Sequence, residues 1–341
     1  MLEKIPNHLD KREGSVLYNA LAPVAIELQN AYIQMDTILD FTFVDTTEGI
    51  YLTKKCHERG IERLPATKAI AKGEFNINVP IGSRFYINGL NYIVTEKIQD
   101  GMFRLQCETA GEQGNHCFGK MIPIEYIQGL TSAVLTDVLI PGEDIESDQN
   151  LRQRYYDSLF GQGFGGNIAD YKQKVLQMQG VGAVKVYPTW QGGGTVKLVI
   201  LTSEYTKPSQ ELVDTVQTAI DPVANQGQGL GLAPIGHVVT VCGAEQTVVS
   251  VSANISYQNG YYFDRIQNAL EQTIEDYFQQ LNENWGNEKN IVVRISRIES
   301  RILDLEGVID VSDTELNGEQ RNIEIHQDNI VIRGEVYDKR N

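Results

Sequence analysis

Seven apolar side chains near the start of the chain, Leu17, Leu21, Val24, Leu28, Ala31, Met35 and Ile38, follow one another at spacings of four, three, four, three, four and three residues. An average repeat of about 3.5 residues puts all of them in one stripe of a helix, the pattern of a surface covered by another helix. Pro23 interrupts the run. It lacks an amide donor and biases Ala22 away from helix, so the pattern predicts a short helix, a kink or break, and a main helix from Pro23 to Asp40. The stripe fits a contact between subunits; it also fits a core helix of the chain's own domain, since three heptads are near the minimum for a coiled coil.

A second helix is predicted over 49–62, ended by Gly60. From Ala66 to about Thr136 the apolar period shortens to two: Phe75, Ile77 and Val79 alternate with polar residues, and Phe85, Ile87 and Tyr92-Ile93-Val94 continue in short strands. Asn88-Gly89 and Asp100-Gly101 between them are hairpin-turn residues, which makes this stretch a compact all-β module. Pro141-Gly142 and the acidic run Glu143 to Asp148 mark the next boundary, where Ser147 or Asp148 can cap a helix from Gln149 to Phe160. Beyond it, helices predicted at 167–179, 209–220, 264–281 and 296–303 are interspersed with strands at 181–187, 195–201, 237–242, 247–257, 307–312, 322–326 and 329–333.

A weak repeat lies in this second half. Ile168, Tyr171, Val175, Leu176, Met178, Gly180-Val181 and Val184 match, at one constant offset, Ile295, Ile298, Ile302, Leu303, Leu305, Gly307-Val308 and Val311. Each segment reads as a helix stopped by a glycine that can turn left-handed, followed by a β-branched strand. Related halves would leave this trace, and so would a common supersecondary motif. The predicted fold class is therefore α+β and multidomain: an N-terminal helical assembly region at 1–64, a β-rich module at 65–140, and a C-terminal α/β region of two related halves at 141–245 and 246–341.

The order Asp10, Gly14-Ser15, the stripe, Thr46-Thr47-Glu48-Gly49-Ile50-Tyr51-Leu52, Gly60-Ile61-Glu62-Arg63 and Ala66-Thr67-Lys68-Ala69 resembles the baseplate J family of phage tails and related contractile injection particles. Pro80-Ile81-Gly82-Ser83-Arg84-Phe85, Gly111-Glu112-Gln113-Gly114-Asn115, Gly142 to Asp148 with Arg152 and Arg154, and Gly165-Gly166-Asn167 before Asp170-Tyr171 continue it in the same order. The resemblance covers residues 10 to 335. It implies a structural wedge subunit whose N-terminal helices join those of neighbours in a bundle. It also implies α/β domains whose lateral contacts close a six-fold ring around the tail hub, and passage of the contraction trigger to the sheath. The implied partners are other wedge subunits, copies of the chain itself, and hub and sheath proteins; the implied place is a virion or tail-like particle assembled in the bacterial cytoplasm. Leu17, Leu21, Val24, Leu28, Ala31, Met35 and Ile38 are the expected assembly interface.

Charge and chemistry narrow this picture further. Twenty-nine basic against forty-five acidic residues give a formal net charge of −16, which opposes binding to nucleic acid or to an anionic membrane. Lys54-Lys55 and Arg152 with Arg154 read as solvated helix faces. No apolar run approaches the ~18 residues of a membrane helix, and the N-terminus lacks a signal-peptide core. Cys56, Cys107, Cys117 and Cys242 show no C-x-x-C spacing and are expected as free thiols; a zinc site from Cys107, Cys117 and His116 lacks a second close pair.

The glycine-rich loop Gly161 to Gly166 follows a helix and lacks the Gly-Lys-Ser/Thr ending of a phosphate loop, so it reads as a hinge, and Gly227 to Gly231 has the same failing. Glu143, Asp144, Glu146 and Asp148 could supply a glycosidase pair or a cation loop; crowding on one exposed loop and the absence of calcium-loop spacing favour capping, with Glu146 paired to Arg152 or Arg154. None of the five histidines has a local partner that marks a base, and Cys56-His57 point apart on a helix. No catalytic, cofactor-binding or metal-binding residue is expected. The alternatives kept are a tail-associated cell-wall hydrolase, its acids gathered by folding, and a receptor-binding or adhesin module built on the β domain.

Overall fold

The computed structural model describes residues 2–6, 8–160 and 165–340, and the chain divides into two compact units, Met1–Pro65 with Ile145–Gly161 and Ala66–Asp144 with Gln162–Asn341. The first unit contains α1 (Val16–Asp40), α2 (Gly49–His57) and α3 (Asp148–Phe160). Ser15 caps α1 by accepting a hydrogen bond from the Tyr18 amide. Of the kink or break predicted at Pro23, the break does not occur: α1 runs through it as one helix of 25 residues. Pro23 withholds a hydrogen bond only from the carbonyl of Asn19, and both residues are exposed, so water can take the missing donor's place.

α2 stops sooner than predicted, at His57, and Gly60 turns the chain with φ +74°. α2 and α3 pack through the buried Leu52, Cys56 and Leu151, with Val44, Ile61 and Tyr155 at the margin. The segment 145–161 thus folds with the N-terminal helices instead of opening the α/β half expected from residue 141. Leu151 and Tyr155 lie four residues apart and form the apolar face that α2 needs.

In the second unit, β1 (Lys68–Phe75), β2 (Arg84–Ile87), β3 (Leu90–Gln99), β4 (Met102–Ala110), β5 (Gly119–Lys120), β6 (Ile122–Pro123) and β7 (Ala133–Ile140) form an antiparallel sheet in the order β5-β7-β1-β4-β3-β2-β6. Alternation sends Ala69, Ala71 and Phe75 of β1 and Phe103, Leu105 and Cys107 of β4 into one core. Asn88 and Gly89, at φ 48° and 87°, turn β2 into β3 as their residue types predicted.

The chain continues through α4 (Ile168–Leu176), β8 (Val181–Pro188), β9 (Thr195–Thr202), α5 (Gln210–Ile220) and β10 (Val238–Gly243), with strand order β10-β9-β8. β11 (Glu245–Tyr257), α6 (Phe263–Glu283), β12 (Val292–Val293), α7 (Ile295–Leu303), β13 (Val308–Leu316), β14 (Ile323–Glu324) and β15 (Asn329–Asp338) follow; their main sheet is β13-β11-β15, and β12 pairs with β14. In each three-stranded sheet the central strand is antiparallel to one neighbour and parallel to the other. The antiparallel neighbour is β8 in one and β13 in the other, each preceded by a helix and a left-handed glycine, Gly180 at φ +84° and Gly307 at +91°. The chain path differs: β8 runs straight into β9, whereas β13 is reached from β11 only by way of α6 and α7. Ala183, Val199 and Leu201 of the first sheet share one core with Val249 of the second, Leu270 of α6, Ile298 of α7 and Trp285 just beyond α6.

Candidate assembly surfaces

No residue of α1 is buried. Within the stripe, Leu17, Leu21 and Ala31 are half-buried, while Val24, Leu28, Met35 and Ile38 are 49, 43, 58 and 63% exposed. An ordinary core helix would hide these positions; among the described residues, nothing buries any of the seven, and four of them stay largely exposed. Glu27, Asp36 and Asp40 are the only charged residues of α1. A helix of this length spans about 37 Å. Covering the exposed parts of the four outermost side chains would stabilise a complex by roughly 1 kcal/mol each, scaled from the burial of a whole side chain.

A polar clamp holds the joint between α1 and α2. Arg152 on α3 donates from Nε to the Val44 carbonyl at 2.7 Å and from Nη2 to the Thr47 carbonyl at 2.8 Å. One turn earlier, Asp148 Oδ2 accepts from the Gly49 amide at 2.7 Å, and its other oxygen meets Arg63 at 2.5 Å. These contacts hold the Asp148 carboxyl below its ordinary range, the Gly49 amide first and the Arg63 guanidinium second. Glu146, almost fully buried, takes Arg154 in a two-pronged contact at 2.6 and 2.8 Å and the Leu64 amide at 3.1 Å. Of the two expected partners of Glu146, Arg154 is the one used. Arg152 and Arg154 are not the solvated faces their spacing suggested, because each reaches backbone carbonyls more than ninety positions away. Ser147 caps α3 by accepting from the Asn150 amide at 3.2 Å, which frees Asp148 for α2.

The other groups singled out for chemistry are dispersed. Glu143 accepts from the Gly180 amide at 2.7 Å, and burial raises its carboxyl's pKa; Asp144 accepts from the Glu112 amide at 3.1 Å. All four acids thus serve backbone amides or arginines. Burial also raises the thiol pKa of Cys56 and of Cys107. His116 is exposed, with Nε2 3.7 Å from Glu204, and among the described residues no cluster of three or more His, Cys, Asp or Glu could hold a metal ion. The nucleotide-like loop lies mostly outside the described residues, at 161–164. Gly231, in the second glycine-rich stretch, lies against the Ala219 and Ile220 carbonyls at the end of α5, too close for any side chain. Among the described residues no helix is long and apolar enough to cross a membrane.

The α/β sheets carry the family signature. Residues 163–243, which hold α4 to β10, match the baseplate J-like central domain, and residues 249–337, from within β11 to within β15, match the baseplate J-like protein C-terminal domain. Protein YqbT of Bacillus subtilis (strain 168) is 39% identical over 340 residues, covering 98% of this chain and 94% of its own. The chain belongs to the baseplate J-like family. Phage-like element PBSX protein XkdT of the same Bacillus strain is 38% identical with the same coverage, and baseplate protein gp47 of Escherichia phage Mu is 25% identical over 66% of this chain and 67% of its own. A baseplate J-like protein is a structural component of a phage or prophage baseplate, and neither matched domain is that of a catalytic family.

Proposed function

We propose that this baseplate J-like chain is a wedge subunit that assembles through α1, its stripe from Leu17 to Ile38 packing against helices of neighbouring subunits. The observation that carries the reading is the absence of any buried residue in a 25-residue helix with seven apolar positions in register. An exposed stripe of that length is stable in water chiefly as one side of an interface. The α/β sheets would supply the lateral contacts of a six-fold ring around the tail hub, using exposed residues such as Ile309 and Tyr337. Copies of the chain, other wedge subunits, hub and sheath would then be its partners, and rearrangement of these interfaces would pass the contraction trigger outward.

The test is the triple variant Leu21→Ser, Leu28→Ser and Met35→Ser in the full chain. It should keep the cooperative melt of the α/β region and be missing from purified tail particles. Incorporation at the wild-type level would remove α1 from the interface, and global unfolding would show that the stripe serves a private core.

A further inference from the structure

α1 has no buried residue to fix its direction, so its orientation depends on residues 41–48, which join it to α2. That joint is closely tied. Phe41 stacks on Tyr51 with ring centroids 4.3 Å apart and planes 13° from parallel, Thr46 Oγ1 donates to the Asp40 carbonyl at 2.6 Å, and the Thr47 amide donates to the Phe43 carbonyl at 2.9 Å. Thr47 itself is fully buried. The two hydrogen bonds shape the turn, while Phe41 on Tyr51 and Val44 at the margin of the α2–α3 core hold it to that pair only through apolar contact, which does not fix a direction. Arg152 supplies the directional attachment, with two donors of one planar guanidinium set on the Val44 and Thr47 carbonyls, while Asp148, on the same face of α3, secures the Gly49 amide that opens α2.

We propose that Arg152 is the positioning residue that sets the direction of α1, and with it the angle at which the apolar stripe meets a neighbouring subunit. The second clause rests on the assembly reading above; the first stands without it. The physical requirement is the fork. Two carbonyls three positions apart are held in fixed relation by a rigid pair of N–H groups, whereas a lysine ammonium on a flexible stem holds at most one of them in a defined direction. With the fork lost, Phe41 on Tyr51 remains as a pivot.

Spin labels at Asn30→Cys on α1 and Asp157→Cys on α3, both exposed sites, in full-length chain carrying Cys242→Ser, report the angle by double electron–electron resonance. Asn30 is ten residues from the end of α1, about 15 Å, so a swing of roughly 20° moves its label by about 5 Å. The Arg152-intact chain should give one narrow distance distribution. Arg152→Lys, and Arg152→Met as a second variant that keeps the packed stem, should widen it by about that amount. An arginine needed only for stability would lower the melting temperature and leave the width unchanged, and that result overturns the proposal. A wide distribution in the Arg152-intact chain overturns it as well, with no variant needed. Widening in the Arg152 variants together with normal incorporation of the triple serine variant would keep the joint's role and remove the assembly reading.

Discussion

Gln217 on α5 and Asn282 on α6 make the same connection in two different sheets: each turns a buried side-chain amide onto the backbone of an outer strand. Gln217 donates to the Val239 carbonyl at 3.0 Å and accepts from the Val241 amide at 2.8 Å. Asn282 donates to the Val331 carbonyl at 2.9 Å and accepts from the Val331 amide at 3.0 Å. In both cases a side chain stands where the peptide of a further strand would stand, so β10 and β15 are satisfied at these points without another strand. The helix that carries the amide follows the central strand in both sheets, and the strand it closes is the parallel neighbour. This correspondence, found in the fold, joins the one between Gly180 and Gly307.

Replacing Asn282 by an apolar group of similar size takes away the partner of the Val331 N–H and C=O, and replacing Gln217 takes away that of the Val241 N–H and the Asp221 carbonyl, while Gln226 still donates to the Val239 carbonyl at 3.1 Å. Gln217→Leu and Asn282→Leu should each cost about 1–3 kcal/mol. Urea unfolding of the full chain measures this, and a loss under about 0.5 kcal/mol in either variant would mean that water replaces the amide there.

The two helix-ending glycines should differ in sensitivity. Both have left-handed φ, which alone costs a β-branched residue on the order of 1–2 kcal/mol. A Cβ on Gly180 would meet Pro141, Ile140 and Leu212 at 3.2–3.3 Å, whereas one on Gly307 would be driven into the Tyr261 ring. Gly307→Val should therefore lower the melting temperature more than Gly180→Val. Gly193→Ala, with open space around the position, should be close to neutral. Equal melting of all three variants would contradict the packing described.

Lys185 gives a pH dependence with a defined sign. It is 8% exposed, lies over the Trp285 ring at 4.4 Å and donates to the Gln327 and Lys289 carbonyls at 2.7 and 3.2 Å. Burial pulls its pKa from 10.5 down to about 8, against the pull of Asp328 and Glu288. Between those values the unfolded chain holds a proton that the folded chain has released, so this group's contribution to stability rises with pH, at a slope of up to ~1.4 kcal/mol per unit. The raised thiols of Cys56 and Cys107 act in the opposite sense, in wild type and variant alike. The stability of wild type relative to Lys185→Met should therefore increase between pH 8 and 10. Urea midpoints for both proteins at three pH values across this window decide it, and a constant difference would show that Lys185 titrates normally.

Thiol accessibility gives a further check. Cys56 and Cys107 are fully buried, Cys117 nearly so, and Cys242 is partly exposed. One thiol per native chain should react quickly with a disulfide reagent, and the other three only as the chain unfolds. Fast reaction of Cys56 would reopen the question of a nucleophile beside His57.

Much of this was legible in residue spacing. Leu17 to Ile38 marks α1 because a 3.5-residue repeat has no other economical reading, and Gly180 and Gly307 were recognisable as helix stops from the β-branched residues after them. Pro23 misled, because a proline's cost depends on whether the released carbonyl meets water, which spacing does not encode. Arg152 was misread for a related reason: backbone carbonyls have no side-chain signature, and the two it holds lie 105 and 108 positions away. The grouping of α3 with α2 was equally hidden, since Leu151 and Tyr155 suit any apolar neighbour. Two-residue strands such as β5, β6 and β12 are too short for a period of two to register.

The different chain paths through two like-ordered sheets have a practical consequence. β13 and β11 reach the same antiparallel arrangement as β8 and β9 without being consecutive, so the short link at 189–194 is not what dictates that arrangement. Strand packing and the shared core dictate it. The link also projects into open space at Gly193. A fluorescent domain spliced into the chain at that glycine would ride on the folded sheet as cargo, a beacon for following individual subunits into a growing particle while both helix-borne amides and the α1 stripe stay native.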